Sequence, residues 1–441
     1  MNRKIVSGLV LTTLLVCTLT LVFNVKLLRA NGTIYITAGG SVEGTDRIER
    51  FDDVYTFTGD INDSIVIRRD NMILDGDGHA LVGTIASEDD GVALLGRSNV
   101  TIKNLEIRQF RRGILLRESK ICQVYENHIT SCESGIVVLG GTPASLYSQI
   151  IFGNTLTHNS EDAIIVVSSN GNEIIENNIE ANLIIENNIT GIHLVRSSNN
   201  LITDNNITGS LATNNNSYGI VFTNSSNNNV SGNSMAYNSI GAYMDGDSSK
   251  SSIYYNDFTN NEVQAVANGL NDWDNDTLKE GNYWSDYEGI DQNGDGIGDT
   301  LTPHHDDRYP FIGPLSPIPV LHQETIYYCS VDNSITVSRF SMDKNKTLSL
   351  NIIGEGYVNL TIPRKLLDGS FQILFSNAQI PYKALWDKDY NFIYFEHVTS
   401  VPISVRVEAQ MKLQGDLNSD EIVNIRDIFI VAKNFGKTLE D

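Results

Sequence analysis

The chain has 441 residues and a formal net charge of −23, from 54 acidic and 31 basic side chains. This acidic surplus argues against nucleic acid or an anionic membrane surface as a partner, because both require a basic patch. Cys17 lies in an apolar N-terminal run, and the other three cysteines are an odd and sparse set that does not form a disulfide framework. We expect Cys122, Cys132 and Cys329 to be buried small side chains.

Residues 1–30 have the layout of a secretory signal. Arg3 and Lys4 precede an apolar run from Ile5 to Phe23, and Ala30 is a plausible cleavage point. The run is also long enough to cross a bilayer, so an uncleaved anchor is the alternative and would be the only association with a membrane. Either way, we predict an extracellular or cell-surface protein.

Asn-X-Ser/Thr triplets, which are acceptors for N-glycosylation, are frequent in the chain. They begin at Asn31, Asn62, Asn99, Asn188, Asn206, Asn215, Asn224, Asn229, Asn275, Asn345 and Asn359. Several would arise by chance in so asparagine-rich a sequence. They permit a glycoprotein without establishing one.

Residues 53–82 contain three apolar strands separated by Asn, Asp and Gly turns, and they precede the repeats. Asp75, Asp77 and His79 in this segment have the residue types of a catalytic or metal-binding cluster. A polar turn that closes the first coil is the interpretation we favour.

A motif of glycine followed by alternating apolar residues recurs through the middle of the chain. It begins at Gly91, Gly113, Gly135, Ala163, Gly191, Gly219 and Gly241. A second marker, an asparagine in an Ile/Val-rich segment, keeps step with it at Asn104, Asn127, Asn154, Asn177, Asn205, Asn233 and Asn256. Two markers whose intervals lengthen together indicate one structural unit with loop insertions, among them Thr142 to Ser148 and Leu211 to Ser217.

These repeats predict a right-handed parallel β-helix over residues 31–270. The runs are short and β-branched, with Asn, Ser and Gly between them, which is typical of strands and turns. Strands this short cannot enclose a core alone, so successive coils must stack and pair their backbone edges. The repeated asparagines would then hydrogen bond between coils. We expect equivalent depths in successive coils for Leu94, Leu116, Val138, Val166, Leu194, Phe222 and Met244.

The sequence resembles the NosD-type family of carbohydrate-binding and sugar-hydrolase (CASH) β-helix repeats, which is abundant in archaeal secreted proteins. The segments DSIVIRRDNMILDGDGHALVG at 63–83 and GRSNVTIKNLEI at 96–107 are similar to the first coils of that family. The run GNYWSDY at 281–287 is similar to the segment that closes its β-helix. The resemblance covers about residues 33–315. It implies a β-helix outside the cytoplasm and leaves the function open.

The closing segment, residues 271–316, contains a candidate calcium loop. Oxygen-bearing side chains alternate with glycines at Asp291, Asn293, Asp295 and Asp299, and Ile297 would offer its carbonyl oxygen. Calcium requires six to eight oxygens that converge from a tight turn. Thr302 stands where an EF-hand has glutamate, so we expect Asp306 or Asp307 to complete the ligand shell.

Four prolines, from Pro310 to Pro319, mark a linker, and the pattern then changes to longer alternating strands. We predict a β-sandwich over residues 317–410. This layout and the Asn-Leu-Thr-Ile-Pro stretch at 359–363 resemble a small C-terminal β-domain of archaeal secreted proteins. Trp386 and the many tyrosines are candidates for a sugar-stacking face, although core and ordinary surface positions are the preferred interpretation.

Residues 411–441 contain a second candidate calcium loop, followed by a short amphipathic helix that ends at Gly436. Its ligands would be Asp416, Asn418, Asp420, Asn424, Asp427 and the carbonyl oxygen of Ile422. The segment resembles one repeat of a type I dockerin. That resemblance implies calcium binding and a cohesin-like partner. Glu421 replaces the usual glycine and only one repeat is present, which places the recruitment of cohesin in doubt.

Three functions are compatible with the sequence. The first is a non-enzymatic surface protein that binds a polysaccharide or a surface glycoprotein, and we favour it. The second is a polysaccharide hydrolase or lyase, for which the acids Glu88, Asp89, Asp90, Glu161 and Asp162 and the bases Arg111 and Arg112 are candidates. The third, by analogy with NosD, is copper handling, but the eight histidines and six methionines do not cluster in the sequence.

Overall fold

A computed structural model of the protein describes residues 32–84, 89–141, 144–180, 189–209, 217–293, 295–300, 304–315, 317–322, 325–333, 336–343, 346–375 and 378–410. The predicted signal or anchor at 1–30 and the predicted calcium loop at 411–441 lie outside these ranges, as do Glu88 and Thr302. Most of the insertion from Leu211 to Ser217 lies outside them too.

The described residues before the linker wind into a right-handed parallel β-helix with three long sheets, as the repeats predict, and Ser145–Leu146 pairs with Ser169–Asn170 in a small two-stranded sheet. Sheet A contains Ile34–Ile36, Val42–Glu43, Ile65–Ile67, Asp90–Leu95, Arg112–Arg117, Ser134–Leu139, Ile164–Val167, Ile189–Val195, Ser217–Thr223, Ile240–Met244 and Val263–Ala267. Sheet B contains Ile48–Phe51, Val54–Phe57, Met72–Asp75, Val100–Lys103, Gln123–Tyr125, Ile150–Phe152, Glu173–Ile175, Leu201–Thr203, Asn229–Ser231 and Ser252–Tyr254. Sheet C contains Ala80–Val82, Glu106–Arg108, His128–Thr130, Thr155–Thr157, Asn178–Glu180, Asn206–Thr208, Ser234–Ala236, Asp257–Thr259 and Tyr283–Trp284.

The predicted stacking of the glycine-led strands is confirmed. Consecutive pairs in sheet A are Leu94↔Leu116, Leu116↔Val138, Val138↔Val166, Val166↔Leu194, Leu194↔Phe222 and Phe222↔Met244. All seven side chains are buried in one core cluster with the central residues of the sheet B and sheet C strands. Because complete burial of one such side chain contributes about 1.5–3 kcal/mol, the inner rows of aliphatic residues are the main source of stability.

At Gly113, the close approach of adjacent coils requires glycine. A Cβ atom built on Gly113 would lie 2.7 Å from the carbonyl oxygen of Gly135 and 2.6 Å from a methyl group of Ile129. Neither distance is compatible with a real side chain. The glycine therefore permits the tight corner that leads from sheet C into sheet A.

The asparagine markers form a ladder of buried side chains at the corner between sheets B and C. From Asn154 onward, each side-chain oxygen accepts hydrogen bonds from the backbone and side-chain N–H groups of the asparagine one coil earlier. The backbone and side-chain nitrogens of Asn205, for example, lie 3.0 and 2.9 Å from Asn233 Oδ1. The ladder contains Asn127, Asn154, Asn177, Asn205, Asn233, Asn256 and Asn282. Buried backbone groups at this corner thereby find partners within the protein.

Asn104 is not a member of this ladder, which corrects the sequence-based assignment. The backbone N–H of Leu105 occupies the equivalent place and donates to Asn127 Oδ1. Asn104 instead has a left-handed backbone conformation and donates to Asp75 Oδ1. Asp75 also pairs with Lys103 and accepts from the backbone N–H of Asp77, so this segment is the polar turn that we favoured.

Aromatic side chains cover the C-terminal end of the core. The ring of Trp284 lies 4.4 Å from that of Phe258 and nearly parallel to it, and Trp273 packs against both. Trp284 is fully buried. The GNYWSDY run therefore closes the β-helix, as its resemblance implied.

The strands after the linker are antiparallel and enclose a second core. They are Ile318–His322, Thr325–Asn333, Thr336–Met342, Thr347–Pro363, Ser370–Phe375, Ala378–Gln379, Lys383–Trp386 and Tyr390–Gln410. The two longest strands pair along their whole length, with a register shift between Ile352 and Gly354. The two halves of Thr347–Pro363 pair with different neighbouring strands, and both bury side chains in this core. The hydroxyl of Tyr328 bonds to Glu180 and Asn206 of sheet C.

Replacement of one ladder residue by an apolar side chain of similar size should destabilise the β-helix. We expect Asn205→Leu to lower the free energy of unfolding by about 2–4 kcal/mol, because the N–H of Asn177 and the carbonyl oxygen of Ile174 would lose their buried partners. Denaturant titration followed by circular dichroism measures the change. Asn268→Leu, at an exposed asparagine, is the control; equal losses for the two variants would contradict a structural role for the ladder.

Candidate functional site

The outer face of sheet A carries the candidate binding site. In its N-terminal coils this face is apolar, since Ala93, Leu115 and Val137 form a small cluster there. In the later coils the equivalent positions are His193, Val221 and Tyr243. Along this row, aliphatic side chains that pack on one another in the early coils are followed by polar and aromatic side chains that can contact a ligand.

A groove of about 560 Å³ lies over these later coils. We call it the sheet A groove, and it is lined by Glu161, Asp162, Thr190, His193, Tyr218, Val221, Thr223 and Tyr243. This volume is within the range of small-molecule and cofactor sites, about 300–1,000 Å³. Strands of three successive coils and the turn at 161–162 supply the lining, so the parallel register alone brings these residues together.

Polar groups of the groove are linked to one another. His193 lies between Asp162 and Thr223, with its Nδ1 atom 3.4 Å from Asp162 Oδ2 and its Nε2 atom 3.3 Å from Thr223 Oγ1. Ser134 donates a hydrogen bond to Glu161 Oε2 at 3.3 Å. The side chains of Asp162 and His193 are 17% and 23% exposed, so both are held in place and still reach solvent. Such groups can donate to and accept from the hydroxyls of a ligand.

Two tyrosines form the aromatic part of the groove. The rings of Tyr218 and Tyr243 are 6.1 Å apart at an interplanar angle of 74°, which is an edge-to-face arrangement. The two residues come from adjacent strands of sheet A. They provide an apolar surface beside hydrogen-bonding groups, the usual combination in a ligand site.

The other predicted catalytic residues are placed differently. Asp90 and Arg112 lie opposite each other in adjacent strands and form a bidentate ion pair. Arg111 lies 3.7 Å from Glu133. Of the acids that the sequence singled out, Glu161 and Asp162 therefore line the groove, whereas the charge of Asp90 is already neutralised.

The predicted calcium loop is a compact turn in which carboxylates accept backbone hydrogen bonds. Asp291 accepts from the N–H groups of Asp295 and Gly296, and Asp299 accepts from Gln292 and Asn293. Asn293 and Asp295 accept from the N–H groups two residues later. The loop brings the predicted side chains into one turn, but in this arrangement they face N–H groups.

Asp307 does not lie at that loop, contrary to the expectation that it completes the ligand shell. It is fully buried and ends the asparagine ladder, since Asp307 Oδ2 accepts from the backbone N–H of Asn282 at 2.8 Å and from Trp284 Nε1 at 2.8 Å. The backbone N–H of Tyr309 donates to the other oxygen. Burial raises the pKa of Asp307 to about 6. Asp306 is exposed and lines a separate surface pocket with Trp273 and Arg308.

Comparison with known proteins assigns the family. The family model for periplasmic copper-binding protein (NosD) matches residues 33–211 and 178–289, which is more than half of the chain. The chain belongs to the NosD family. The description of that family as periplasmic agrees with the location that the N-terminal segment predicts. No curated protein matches the sequence.

Solved structures with distant similarity include two enzymes and a phage protein. The NosD-family chain matches the periplasmic alginate epimerase AlgG at 15% identity and a TM-score of 0.32, covering 53% of this chain and 70% of that one. DFA-IIIase from Arthrobacter chlorophenolicus A6 matches at 13% identity and a TM-score of 0.27, covering 47% of this chain and 56% of that one. Tailspike protein 2 from Escherichia coli O157:H7 bacteriophage CAB120 matches at 12% identity and a TM-score of 0.36, covering 81% of this chain and 61% of that one. The chain thus spans less than two thirds of the latter two, and these similarities carry no argument about function.

The described residues of this NosD-family chain do not fit a copper site. Within the described ranges, no group of three or more His, Cys, Asp or Glu side chains is arranged to hold a metal ion. Burial raises the pKa of the Cys122 and Cys132 thiols to about 11 and that of Cys329 to about 12, which disfavours the thiolate that a metal would require. The three cysteines are buried, as predicted.

Sequence reasoning identified only part of the groove. His193 was one of several scattered histidines, and Tyr218 and Tyr243 were not singled out. A signal was present, because the second residue after each repeated glycine faces outward; it is aliphatic from Ala93 to Ile165 and becomes His193, Val221 and Tyr243.

Among the described helical segments of this NosD-family chain, none is long and apolar enough to cross a membrane.

The buried carboxyl group of Asp307 should make stability depend on pH. Its folded pKa of about 6 is above its ordinary value of 3.8, so the folded protein binds this proton more tightly than the unfolded chain. The resulting stabilisation is complete below about pH 4 and is lost as the pH rises through 6, by up to about 3 kcal/mol.

Asp307→Asn isolates this contribution. We expect the free energy of unfolding of the wild type, relative to that of the variant, to fall by this amount between about pH 4 and pH 7 in denaturant titrations. If the free energies of unfolding of the wild type and of Asp307→Asn change with pH in parallel, Asp307 is not the source of the pH dependence.

Proposed function

We propose that this protein acts outside the cytoplasm as a non-enzymatic glycan-binding protein, with the sheet A groove as its binding site. The observation that carries the proposal is the combination of Asp162, His193 and Thr223 with the tyrosine pair on one exposed face. Sugars present hydroxyl groups and apolar C–H faces, and the groove offers hydrogen-bonding side chains and aromatic rings at matching positions. The ligand would be a polysaccharide or the glycan of a surface glycoprotein.

The regular coils suit an extended polymer better than a compact ligand. Successive strands of sheet A lie roughly 4.8 Å apart. Tyr218 and Thr190 are paired in one row, with Asp162 on the turn one coil earlier beside Ala163, whose N–H donates to Thr190 O. Tyr243, Val221 and His193 occupy adjacent steps of the next row. A chain that runs along the helix axis would therefore meet a new pair of side chains at every coil.

A hydrolase or lyase on the same groove is the alternative. Glycoside hydrolysis uses two carboxyl groups that flank the scissile bond, about 5–9.5 Å apart. Glu161 and Asp162 are consecutive residues of one turn, and each contacts a different side chain, Ser134 and His193. A lyase would use a basic residue, yet Arg111 and Arg112 are paired with acids. This arrangement favours binding over catalysis.

Removal of one tyrosine ring should weaken glycan binding. We expect residues 31–441 to bind members of a glycan array, and Tyr218→Ala to lower the affinity for those glycans at least about tenfold, or ~1.4 kcal/mol. Tyr390→Ala, at an exposed tyrosine of the C-terminal sheet, should leave affinity unchanged. Binding that is insensitive to Tyr218→Ala would contradict the assigned site. Release of reducing sugar from the bound glycans with ordinary turnover would establish the enzymatic alternative instead.

We also propose that calcium stabilises the two Asp-rich loops. In the loop at 291–299, the three carboxylates of Asp291, Asp295 and Asp299 lie in one turn, and their mutual repulsion is relieved by a cation. Binding would require them to turn from the backbone N–H groups toward the ion. The loop at 411–441 has the spacing of a calcium site by its sequence, and a cohesin-like domain is its proposed partner.

Calcium titration of residues 31–441 tests both loops. We expect two sites by isothermal titration calorimetry, one removed by Asp295→Asn and the other by Asp416→Ala, each with magnesium binding more weakly because that ion keeps its waters. Asp389→Asn, in an exposed turn of the C-terminal sheet, is the control. A flat titration through 10 mM calcium, roughly ten times the weak end of extracellular sites, would disprove the proposal.

A further inference from the structure

We infer that the sheet A groove selects glycans that carry amino groups and rejects glycans that carry carboxylate or sulfate groups. This inference rests on the proposed glycan-binding function and adds the chemical class of the ligand. Its basis is the distribution of charge in and around the groove.

The lining of the groove is acidic. Glu161 and Asp162 are its carboxylates, and among the described lining residues there is neither lysine nor arginine. The one basic group, His193, lies 3.4 Å from Asp162 and so faces an acid already. Asp162 is mostly shielded from solvent, and charges in such positions are screened less than charges on an open surface.

Of the arginines on the surrounding elements, two are paired with acids and one lies farther away, whereas Arg196 donates to a hydroxyl rather than to an acid. Toward the N-terminus, Arg112 is paired with Asp90 and Arg111 with Glu133. Arg196, on the turn beside Thr223, directs its Nε atom to Ser168 of the preceding coil. Arg117 lies in the row of Thr223 but four strands away, roughly 19 Å at about 4.8 Å per strand.

The remaining charged groups add to the negative potential. Glu262 is exposed at the C-terminal side of sheet A, and Asp245 accepts from the backbone N–H of Asn224 one coil earlier. A uronate or sulfated sugar would place like charge against these acids, whereas a protonated amino sugar would form ion pairs with Asp162 and Glu161.

Three oligosaccharides of equal length test the inference: hexamers of β-1,4-glucosamine, of its N-acetylated form, and of galacturonic acid. With the full-length protein at about pH 6 and low salt, we expect the amino hexamer to bind at least about tenfold more tightly than the N-acetylated one. The galacturonate hexamer should bind at least about tenfold more weakly than the N-acetylated one. The preference should shrink when the ionic strength is raised from about 0.02 to 0.5 M.

Isosteric variants test whether Glu161 and Asp162 cause the preference for the amino hexamer. The double variant Glu161→Gln, Asp162→Asn should reduce the ratio of the amino to the N-acetylated affinity to within about twofold. Glu126→Gln, at an exposed glutamate on the turn between sheets B and C, should keep the ratio of the wild type. The salt dependence of the wild type tests the electrostatic origin of the preference without any substitution.

The outcomes separate this inference from the function on which it rests. Galacturonate binding that equals or exceeds glucosamine binding, with the loss caused by Tyr218→Ala retained, would overturn the charge selection and leave glycan binding intact. An amino preference that survives the double variant or high salt would also overturn it. If no glycan on the array binds, both the charge selection and the glycan-binding function are contradicted.

Discussion

The structure depends on hydrogen bonding between identical side chains of successive coils. A β-helix turns a corner three times per coil, and each corner places backbone N–H and C=O groups inside the protein, away from water. At the corner between sheets B and C, the ladder from Asn127 to Asn282 satisfies these groups with the amide of the next asparagine and with the carbonyl oxygens that surround it. Without such partners, each buried group would cost about 1–3 kcal/mol, and the corners would not be stable.

Because the ladder fixes the register between coils, it also fixes the outer face of sheet A. Side chains that are about 28 residues apart in the chain, such as His193 and Val221, become neighbours one strand apart. The inner row must remain apolar to fill the core, but the outer row is free to change. It is aliphatic at Leu115 and Val137, and it changes to histidine and tyrosine where the groove lies.

The last coil of the β-helix has no further coil to cover its core or to accept its hydrogen bonds. Trp284 covers the aliphatic core, and Asp307 replaces the asparagine that would come next in the ladder. A carboxylate suits this position since three N–H groups from Asn282, Trp284 and Tyr309 point to it and an acceptor-only group satisfies all of them. Its burial is the source of the raised pKa.

The sequence by itself determined the fold class and the inner rows of the β-helix, because a repeat of 22 to 28 residues leaves its period in every coil. Leu94 and its successors were predicted to stack, and they do. Asn104 was misassigned by one position, since a marker read from spacing alone does not distinguish a ladder residue from its neighbour in the turn. The tertiary structure alone decided the groove and the place of Asp307. Both depend on which residues of distant coils become adjacent, and that contact is set by three-dimensional register rather than by local pattern.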